Sequence, residues 1–461
     1  MQKEPRWSPP RDRPPLSFNA FVMNTPSHIV HGTWRKPGNE HINFNQLDHW
    51  VSLANILEDG GFDAMFFADV LGLQGNHGGG WQFHAEHGVQ IPANDPLVLI
   101  SALTATTRTL CFVVSAAMIG EPPFVFARRI STLDHLSNGR LGWNVVTSSL
   151  ANAYRNLGWS DLLDHDARYD LAAEHIDVLY KLWEGSWEDD AIVADTAGGR
   201  WADPDRIHKI HHVGPHYRVE GPHLSSPSPQ RTPVIFQAGA SPAGARFAAR
   251  HAEIQLIQST DPERARELID HTRSMVRAAG RSPADLAFVQ ALSFVVGSTE
   301  REARDRADEL DEWIDTEAMV AHLGGAMGVD LAGFTATSVI DPDTIPGVTS
   351  IIRWAAESTG DRRVTVADLA RFNSHRNRIV GTPDSISAEI SRWADAGVSG
   401  INVIFSEIPG SYRDFIDHVL PVLRQRGLAR ISDRPQTLRH RLFGRDRLPD
   451  SHPAAAYRGA L

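Results

Sequence analysis

Two hydrophobic patterns alternate along the 461-residue chain. Short, nearly continuous runs of Val, Ile, Leu and Phe are typical of parallel strands that helices cover on both faces. We predict eight such strands, at residues 17–24, 62–69, 110–118, 141–148, 233–241, 253–260, 286–297 and 400–405. Eight is the number of strands that a closed (β/α)₈ barrel requires.

Between the strands, apolar residues recur at helical spacing. The segment 44–61 places Trp50 and Leu57 on one face and ends at two glycines. The segment 124–139 repeats this scheme, and Gly139 suits the left-handed position after a helix. Strands that alternate with helices predict an α/β fold, a TIM barrel, and favour it over a doubly wound sheet.

The uneven spacing of the strands indicates two long insertions, at about 149–233 and 298–399. Both are far longer than ordinary loops. Active sites of α/β barrels lie at the C-terminal ends of the strands, so we expect the insertions to cover that face. We therefore predict a Pro- and Arg-rich arm at 1–16, one barrel domain at 17–427, and a C-terminal tail at 428–461.

Composition narrows the class of protein. A net charge of -11 disfavours nucleic-acid binding, which needs a basic face for phosphates. The N-terminus has no apolar signal core, and no later segment has the roughly 20 apolar residues that span a bilayer. We expect a cytoplasmic protein without membrane contact. The single cysteine, Cys111, excludes a disulfide framework, and its apolar surroundings favour an inert core thiol.

Small polar residues stand near the ends of several predicted strands, where a barrel interior should be apolar. They are Asp69, Ser115, Asn144, Thr147, Ser148 and Ser241. Asp69 or Ser148 alone could simply cap the helix that follows. Their coincidence at one end of several strands favours a binding site, and polar groups around an apolar cup suit a flat heteroaromatic ligand.

The stretch "QAGASPAG" (237–244) predicts a helix start that could bind an anion. Ser241 would be the N-cap, and Pro242 would occupy the first helical position, where its missing N–H costs nothing. Gly239 and Gly244 would allow close approach, and free N–H groups at a helix start bind phosphate. The alternative is an ordinary capped helix. No GxGxxG follows a strand, so we predict no nicotinamide-binding module.

Two further groups of polar residues lie in the first insertion. His165 and Tyr169 are four residues apart and would share a helical face, from which both could reach a phosphate or a ring edge. The alternative is that they are surface residues of an amphipathic helix. The run at 208–216 contains four histidines but no carboxylate in register, so we interpret it as a solvated hairpin and predict no metal site.

Four motifs in this order, "FDAMFFAD", "TLDHLSNGRLGWNVVTS", "DHDARY" and "PVIFQAGASPAG", resemble the flavin-dependent monooxygenases of the bacterial-luciferase superfamily. The resemblance is strongest to the nitrilotriacetate, pristinamycin synthase and dibenzothiophene-sulfone monooxygenases. It implies a TIM barrel with insertions that uses reduced FMN and O₂ to insert one oxygen atom into a small organic substrate, which could contain sulfur or nitrogen. It also implies a separate NAD(P)H:flavin reductase as partner, and a homodimer or homotetramer.

The resemblance also implies roles for individual residues. Asp69 and Ser115 would border the isoalloxazine and ribityl region, and Asn144 and Thr147 would lie near the ring. The ribityl-phosphate end would be held by His165, Tyr169 and Ser241. Two residues are predicted to be catalytic, namely Asn144 and His31, which stands in "HGTWRKPG" and could act as proton donor or base.

Three other functions stay open at this point. One is a deazaflavin-dependent oxidoreductase of the same superfamily, which the motifs fit less well. Another is a metal-dependent hydrolase on the same barrel, although the first strand lacks the His-x-His that such enzymes usually carry. The last is a flavin-binding protein without catalysis, against which the long insertions argue.

Overall fold

A closed barrel of parallel strands forms the centre of the computed structural model, which describes residues 14–239, 241–340, 352, 354–357, 363–430 and 434–461. The barrel strands are β1 (Ser17–Met23), β2 (Ala64–Ala68), β3 (Cys111–Ala117), β4 (Leu141–Val146), β5 (Val234–Gln237), β6 (Ile254–Ile257), β7 (Ala287–Val296) and β8 (Gly400–Ile404). Each strand pairs with its neighbours in sequence, and β8 closes the barrel on β1 from Ser17–Gly400 to Phe21–Ile404. The predicted TIM barrel is confirmed.

The strand boundaries differ from the prediction in three places. β5 and β6 end at Gln237 and Ile257, earlier than predicted. A ninth parallel strand, Arg378–Gly381, pairs with the last four residues of β7. The sequence did not indicate it, because a four-residue run that starts with Arg and ends with Gly has little strand character.

The described helices alternate with the strands as expected. Their bounds are Leu47–Gly60, Gln82–His87, Pro96–Leu103, Pro123–Leu136, Ala151–Asn156, His165–Tyr180, Pro242–His251, Pro262–Ala278, Glu300–Asp311, Thr316–Met327, Val366–His375, Pro383–Asp395, Gly410–Asp414, Leu420–Gln425 and Leu438–Phe443. The predicted helices at 44–61 and 124–139 are confirmed, and Gly139 has the expected positive φ of 79°. Within the described ranges, none of these helices has the length and apolar character that crossing a membrane requires.

Three short antiparallel pairs lie in the insertions. They join Ile192–Asp195 to Arg200–Ala202, His212–Val213 to Arg218–Val219, and Val339–Ile340 to Val364–Thr365. The predicted arm lies largely outside the described residues, since residues 1–13 are not among them, and so does part of the second insertion, at 341–351.

Alternate residues of each strand face the barrel interior, and the others pack against the helices. The inward cluster contains Ala64, Phe66, Cys111, Val113, Val234, Phe236, Ile254 and Val289. Leu438 belongs to the same cluster, so the helix Leu438–Phe443 closes the N-terminal end of the barrel. Cys111 is fully buried there and burial raises the pKa of its thiol, which confirms the predicted core thiol.

A buried ion pair joins this closing helix to the barrel wall. Arg439 Nε and Nη2 donate to the two carboxylate oxygens of Glu253, at 2.8 and 3.0 Å. The remaining N–H groups of Arg439 donate to the backbone oxygens of Thr232, Gln230 and Asp446. Burial raises the pKa of Glu253, but the Arg439 charge and hydrogen bonds outweigh it and lower that pKa overall.

The opposite, C-terminal end of the barrel is covered by the helix Thr316–Met327, which we call the roof helix. It packs on the loops that follow β1 and β2. Gly32 has a φ of +94°, and a Cβ on it would lie 2.6 Å from the Trp313 oxygen and the Asp315 nitrogen, so a side chain would push the roof helix away. Asp315 N–H donates to the His31 oxygen at 3.0 Å, and the Asp315 side chain caps the helix. The second insertion therefore covers the C-terminal face, as predicted.

Candidate active site

An aromatic floor lies inside the C-terminal end of the barrel, which we call the mouth. The ring centroids of Phe21 and Phe66 are 5.2 Å apart, and those of Phe66 and Phe236 are 5.6 Å apart. His28, from the loop after β1, packs edge-on against Phe21 at 4.7 Å. These contacts build the apolar cup that the sequence predicted, with polar groups around it.

Ser115 and Asn144 meet at the mouth. They are partners in the register of β3 and β4, and Asn144 Nδ2 donates to Ser115 Oγ at 2.9 Å. Trp143 and Val145 pack outward, so Asn144 points inward. Its Oδ1 is buried and has no hydrogen-bond partner among the described residues. A buried amide oxygen normally accepts a hydrogen bond, so this atom fits a ligand with an N–H or O–H donor.

A second part of the site lies where the helix Pro242–His251 begins. Ser241 Oγ accepts from the Gly244 N–H at 3.1 Å, and Pro242 occupies the first helical position, which confirms the predicted helix start. A Cβ on Gly244 would lie 2.8 Å from the Tyr169 hydroxyl oxygen, and one on Gly239 would lie 3.0 Å from it. We call Tyr169, Gly239, Ser241 and Gly244 the cradle.

The cradle has the chemistry of a phosphate site. The Gly244 and Ala245 N–H groups donate to Ser241, so the helix start contributes the Ala243 N–H and a positive dipole end, and the Tyr169 and Ser241 hydroxyls add two polar side chains. The space beside the Tyr169 hydroxyl exists because Gly239 and Gly244 have no side chains. His165 is the first residue of the helix that carries Tyr169, so the two residues are one helical turn apart, as predicted.

Asp69 lies apart from these groups. It follows β2 and lines a cavity of about 330 Å³ beside the mouth, together with Asp95, Ala116 and Arg129. Burial, and to a smaller extent the Asp95 charge, raise the pKa of Asp69 to about 7. Thr147 follows β4, and its backbone oxygen accepts from the Tyr154 hydroxyl at 3.3 Å. The roles of Asp69 and Thr147 in cofactor binding stay predictions.

His31 is buried under the roof helix with both ring nitrogens engaged. Nδ1 lies 2.7 Å from Ser27 Oγ, and Nε2 lies 2.8 Å from Nδ1 of His322 in the roof helix. Burial lowers the pKa of His31 well below its usual value, and burial lowers that of His322 to about 4. Both rings are therefore neutral at pH 7. A catalytic role for His31 stays a prediction.

Three functional candidates were not predicted from the sequence. They are Gln74 and Gln90, which lie in loops, and His322, which lies in the roof helix. Gln74 Nε2 donates to Gln90 Oε1 at 3.0 Å, and Gln90 Nε2 donates to the His28 oxygen at 3.2 Å. Gln74 Oε1 is buried without a partner among the described residues. His322 was also missed, although a histidine inside the apolar helical run "AMVAHLGGAM" is a signal that could have identified it.

A hairpin pairs His212–Val213 with Arg218–Val219, as predicted, but it is not fully solvated, because His212 is buried. Two of the histidines at 208–216 have carboxylate partners that the sequence did not indicate, because those partners lie far away along the chain. His208 Nε2 lies 2.9 Å from Glu188, and His212 Nε2 lies 3.0 Å from Glu174. Among the residues that the structure describes, no group of three or more His, Cys, Asp or Glu side chains could hold a metal ion.

Comparison with known proteins decides the family. The model of the family described as luciferase-like monooxygenase matches residues 21–400. The chain belongs to the luciferase-like monooxygenase family. This luciferase-like monooxygenase is 40% identical, over 96% of its length and 94% of the relative, to dimethyl-sulfide monooxygenase from Hyphomicrobium sulfonivorans. It is 39% identical to long-chain alkane monooxygenase from Geobacillus thermodenitrificans, over 96% and 98% of the two chains.

A solved structure extends the similarity to the fold. Riboflavin lyase, crystallised with modified FMN and riboflavin, superposes on the chain with a TM-score of 0.87 at 36% identity, covering 96% of this chain and 99% of that one. The chain is an enzyme, a flavin-dependent monooxygenase. The site agrees with this class, because the mouth combines an unpartnered buried amide oxygen with an anion cradle, and a flavin nucleotide carries both a donor edge and a phosphate.

Proposed function

We propose that this luciferase-like monooxygenase binds reduced FMN at the mouth, receives it from a separate NAD(P)H:flavin reductase, and inserts one atom of O₂ into a small organic substrate. The observation that carries the proposal is the cradle, with Tyr169 and Ser241 beside two glycines at a helix start. It suits the phosphate that distinguishes FMN from riboflavin. The relatives named for a long-chain alkane and for dimethyl sulfide support an organic substrate, and dimethyl sulfide is a small one.

Different residues would contact the phosphate and the ring of the flavin. The cradle would hold the phosphate, with His165 one turn before Tyr169, and Ser115 and Asn144 would face the ring, where Asn144 Oδ1 accepts a hydrogen bond. Asp69 and Thr147 would border the same ring from the ends of β2 and β4. When bound there, reduced FMN would supply the two electrons with which one atom of O₂ enters the substrate and the other is released as water.

The protein would contribute orientation and exclusion of water. The roof helix covers the mouth, and its Met319 Sδ lies 3.4 Å from the His31 nitrogen, so the roof and the β1 loop form one packed unit. The histidines beneath the roof are neutral at pH 7, so they add no positive charge to the space above the aromatic floor. Such a water-poor space protects reactive oxygen species from side reactions.

The proposed reductase partner is supported by the lack of a nicotinamide-binding motif in this sequence. No GxGxxG follows a strand, so we infer that hydride transfer from NAD(P)H takes place on another protein. The assembly as a homodimer or homotetramer stays a prediction.

The charge of the cradle offers a sharp test. Asp caps helices as well as Ser does, so Ser241→Asp keeps the helix start while it places a negative charge beside the phosphate site. We expect reduced FMN to bind at least ~30-fold more weakly to this variant in an anaerobic titration, because repulsion replaces a charge-assisted hydrogen bond of about 2 kcal/mol. Reduced riboflavin, which has no phosphate, should bind the variant and the wild type equally.

A matched control is Ser282→Asp, which changes another N-cap serine, one that lies away from the mouth. It should leave both affinities unchanged. If Ser241→Asp weakens the binding of FMN and of riboflavin equally, the cradle does not bind the phosphate. If neither flavin binds the wild-type protein, the proposed function fails as a whole.

A further inference from the structure

Three side chains under the roof helix form a continuous hydrogen-bonded chain. Ser27 Oγ lies 2.5 Å from the Gly88 oxygen and 2.7 Å from His31 Nδ1. His31 Nε2 lies 2.8 Å from His322 Nδ1. Ser27 and His31 are 2% and 0% exposed, so water does not compete for these contacts.

The direction of every proton in this chain follows from one fixed acceptor. A carbonyl oxygen can only accept, so the single Ser27 hydroxyl proton points to Gly88. Ser27 Oγ must then accept from His31, which places the ring proton of His31 on Nδ1. A neutral imidazole has one N–H, so His31 Nε2 is an acceptor, and His322 must donate to it from Nδ1.

His322 lies in the roof helix above the mouth. Its side chain is half-buried, and burial lowers its pKa to about 4. The His322 ring is close enough to His28 for the two to interact electrostatically, and His28 packs on the aromatic floor through Phe21. With Nδ1 committed to His31, the nitrogen that remains to His322 as an acceptor is Nε2.

We propose that Ser27 and His31 are positioning residues that hold His322 as the neutral Nδ1–H tautomer, so that His322 Nε2 presents a lone pair to the ligand at the mouth. The carbonyl of Gly88, in the loop after β2, fixes the direction of all three hydrogen bonds that link it to His322. His322 Nε2 would accept a hydrogen bond from an N–H or O–H of the flavin or the substrate. The role of His322 in oxygenation rests on the proposed function, whereas the tautomer of His322 does not.

The tautomer can be measured directly. In protein labelled with ¹⁵N-histidine, two-bond ¹H–¹⁵N correlation spectra at pH 7.5 separate N–H nitrogens from unprotonated ones in each ring, and single His→Asn variants assign the rings. We expect His31 and His322 both to carry the proton on Nδ1. A spectrum in which His322 carries its proton on Nε2 would overturn the proposal.

Ser27→Ala removes the acceptor that orients His31. His31 should then shift towards the Nε2–H tautomer, donate to His322 Nδ1, and move the His322 proton to Nε2. Ser27→Thr keeps a hydroxyl and should restore the wild-type pattern. The matched control is Ser131→Ala, which removes a buried hydroxyl 2.9 Å from His223 Nε2 on the outside of the barrel. That variant should leave His322 unchanged, and an unchanged His322 in Ser27→Ala would also overturn the proposal.

An activity measurement separates this inference from the proposed function. If His322 serves the reaction through Nε2, Ser27→Ala should lower kcat about tenfold, Ser27→Thr should restore it, and the affinity for reduced FMN should change less than kcat. A wild-type protein with the expected tautomers but no flavin binding would contradict the proposed function alone. Flavin binding and turnover with the opposite tautomers would contradict the positioning role alone.

Discussion

Arg439 at the closed end of the barrel and Asn144 at the mouth differ in how completely their buried polar groups are paired. At the closed N-terminal end, all five N–H donors of Arg439 have acceptors, two of them on Glu253. At the mouth, Asn144 Oδ1 and Gln74 Oε1 are buried without partners among the described residues. Complete pairing stabilises a fold, whereas an unpaired buried acceptor costs free energy unless a ligand supplies its donor. Buried atoms without a partner in the described part of the chain also occur at the closed end, for example Arg441 Nε, so Asn144 is a candidate ligand contact because it also lies beside the aromatic floor.

Two carboxyl groups, Glu253 at the closed end and Asp69 beside the mouth, differ in a similar way. Glu253 is fully buried, but the neighbouring Arg439 lowers its pKa overall. Asp69 lies beside the mouth, where burial raises its pKa to about 7. A carboxylate held by a cation serves structure, and a carboxyl group whose proton is exchangeable near neutral pH is available for chemistry.

The largest expected effect is at the closed end. Arg439→Met leaves the Glu253 charge buried and unpaired, so we expect the free energy of unfolding to fall by about 3–5 kcal/mol. Equilibrium unfolding in urea measures it. The control Arg392→Ala breaks an ion pair whose Arg side chain is 56% exposed and should cost less than about 1 kcal/mol. Equal costs for the two variants would contradict the structural role of the buried pair.

Two buried asparagines inside the barrel sharpen the comparison. Asn402 Oδ1 accepts from Asn19 Nδ2 at 2.9 Å, so Asn402→Leu leaves a buried donor unpaired and should destabilise the protein by about 2–3 kcal/mol. Asn144→Leu removes an oxygen that already lacks a partner, together with the Nδ2 donor to Ser115 Oγ, so it should cost about 1 kcal/mol, less than Asn402→Leu. Unfolding curves test both.

Flavin binding should respond in the reverse order. Asn144→Leu should weaken the binding of reduced flavin by roughly tenfold, since one hydrogen bond of about 1.4 kcal/mol is lost. Asn402→Leu should leave it unchanged. The distinction between the two ends is lost if Asn144→Leu destabilises the fold as much as Asn402→Leu and binds flavin normally.

Two glycines extend the same test to backbone packing. A Cβ on Gly142 would lie 2.7 Å from the Phe236 ring and 3.0 Å from Leu438, so Gly142→Ala should overpack the interior and cost about 1–3 kcal/mol. A Cβ on Gly244 would lie 2.8 Å from the Tyr169 hydroxyl and 2.9 Å from the Gly239 backbone, so Gly244→Ala should also cost stability, partly offset because Ala is favoured in a helix. Unlike Gly142→Ala, it should also weaken FMN binding, as measured by calorimetric titration. Normal FMN binding by Gly244→Ala would argue against the cradle.

The barrel could be predicted from the sequence because each strand and helix carries its own periodicity. Ser115, Asn144 and Ser241 were predictable for the same reason, since each follows from its place on a strand or at a helix start. The strand Arg378–Gly381 was missed because four residues hold too little pattern. The local sequence pattern therefore predicts the helices and strands, and also the residues at their ends.

The rest of the site depends on contacts between distant segments. His31 and His322 are 291 residues apart, and no local pattern pairs them. The raised pKa of Asp69 arises from burial by neighbouring elements, which composition cannot show. The carboxylate partners of His208 and His212 were missed for the same reason, since they lie 20 and 38 residues away in sequence.

Asp69 provides the smallest test of the contrast, through pH. Its folded pKa, about 7, lies above the ordinary value of 3.8, so the folded state binds more protons than the unfolded state between about pH 4 and 7. Its contribution to stability is therefore present at low pH and is lost as the pH rises through 7. Asp69→Asn should remove this loss and make the variant more stable than the wild type at pH 8, by about 1 kcal/mol, with little difference at pH 4.5.

Urea unfolding of both proteins at the two pH values measures this difference. Glu253→Gln has the opposite sign, because Arg439 holds the folded pKa of Glu253 below its ordinary value and the stabilisation is lost as the pH falls. That variant should be destabilised most at pH 8. If Asp69→Asn instead loses stability at pH 8, Asp69 is a paired structural carboxylate like Glu253, and the mouth and the closed end do not differ in the way they hold charge.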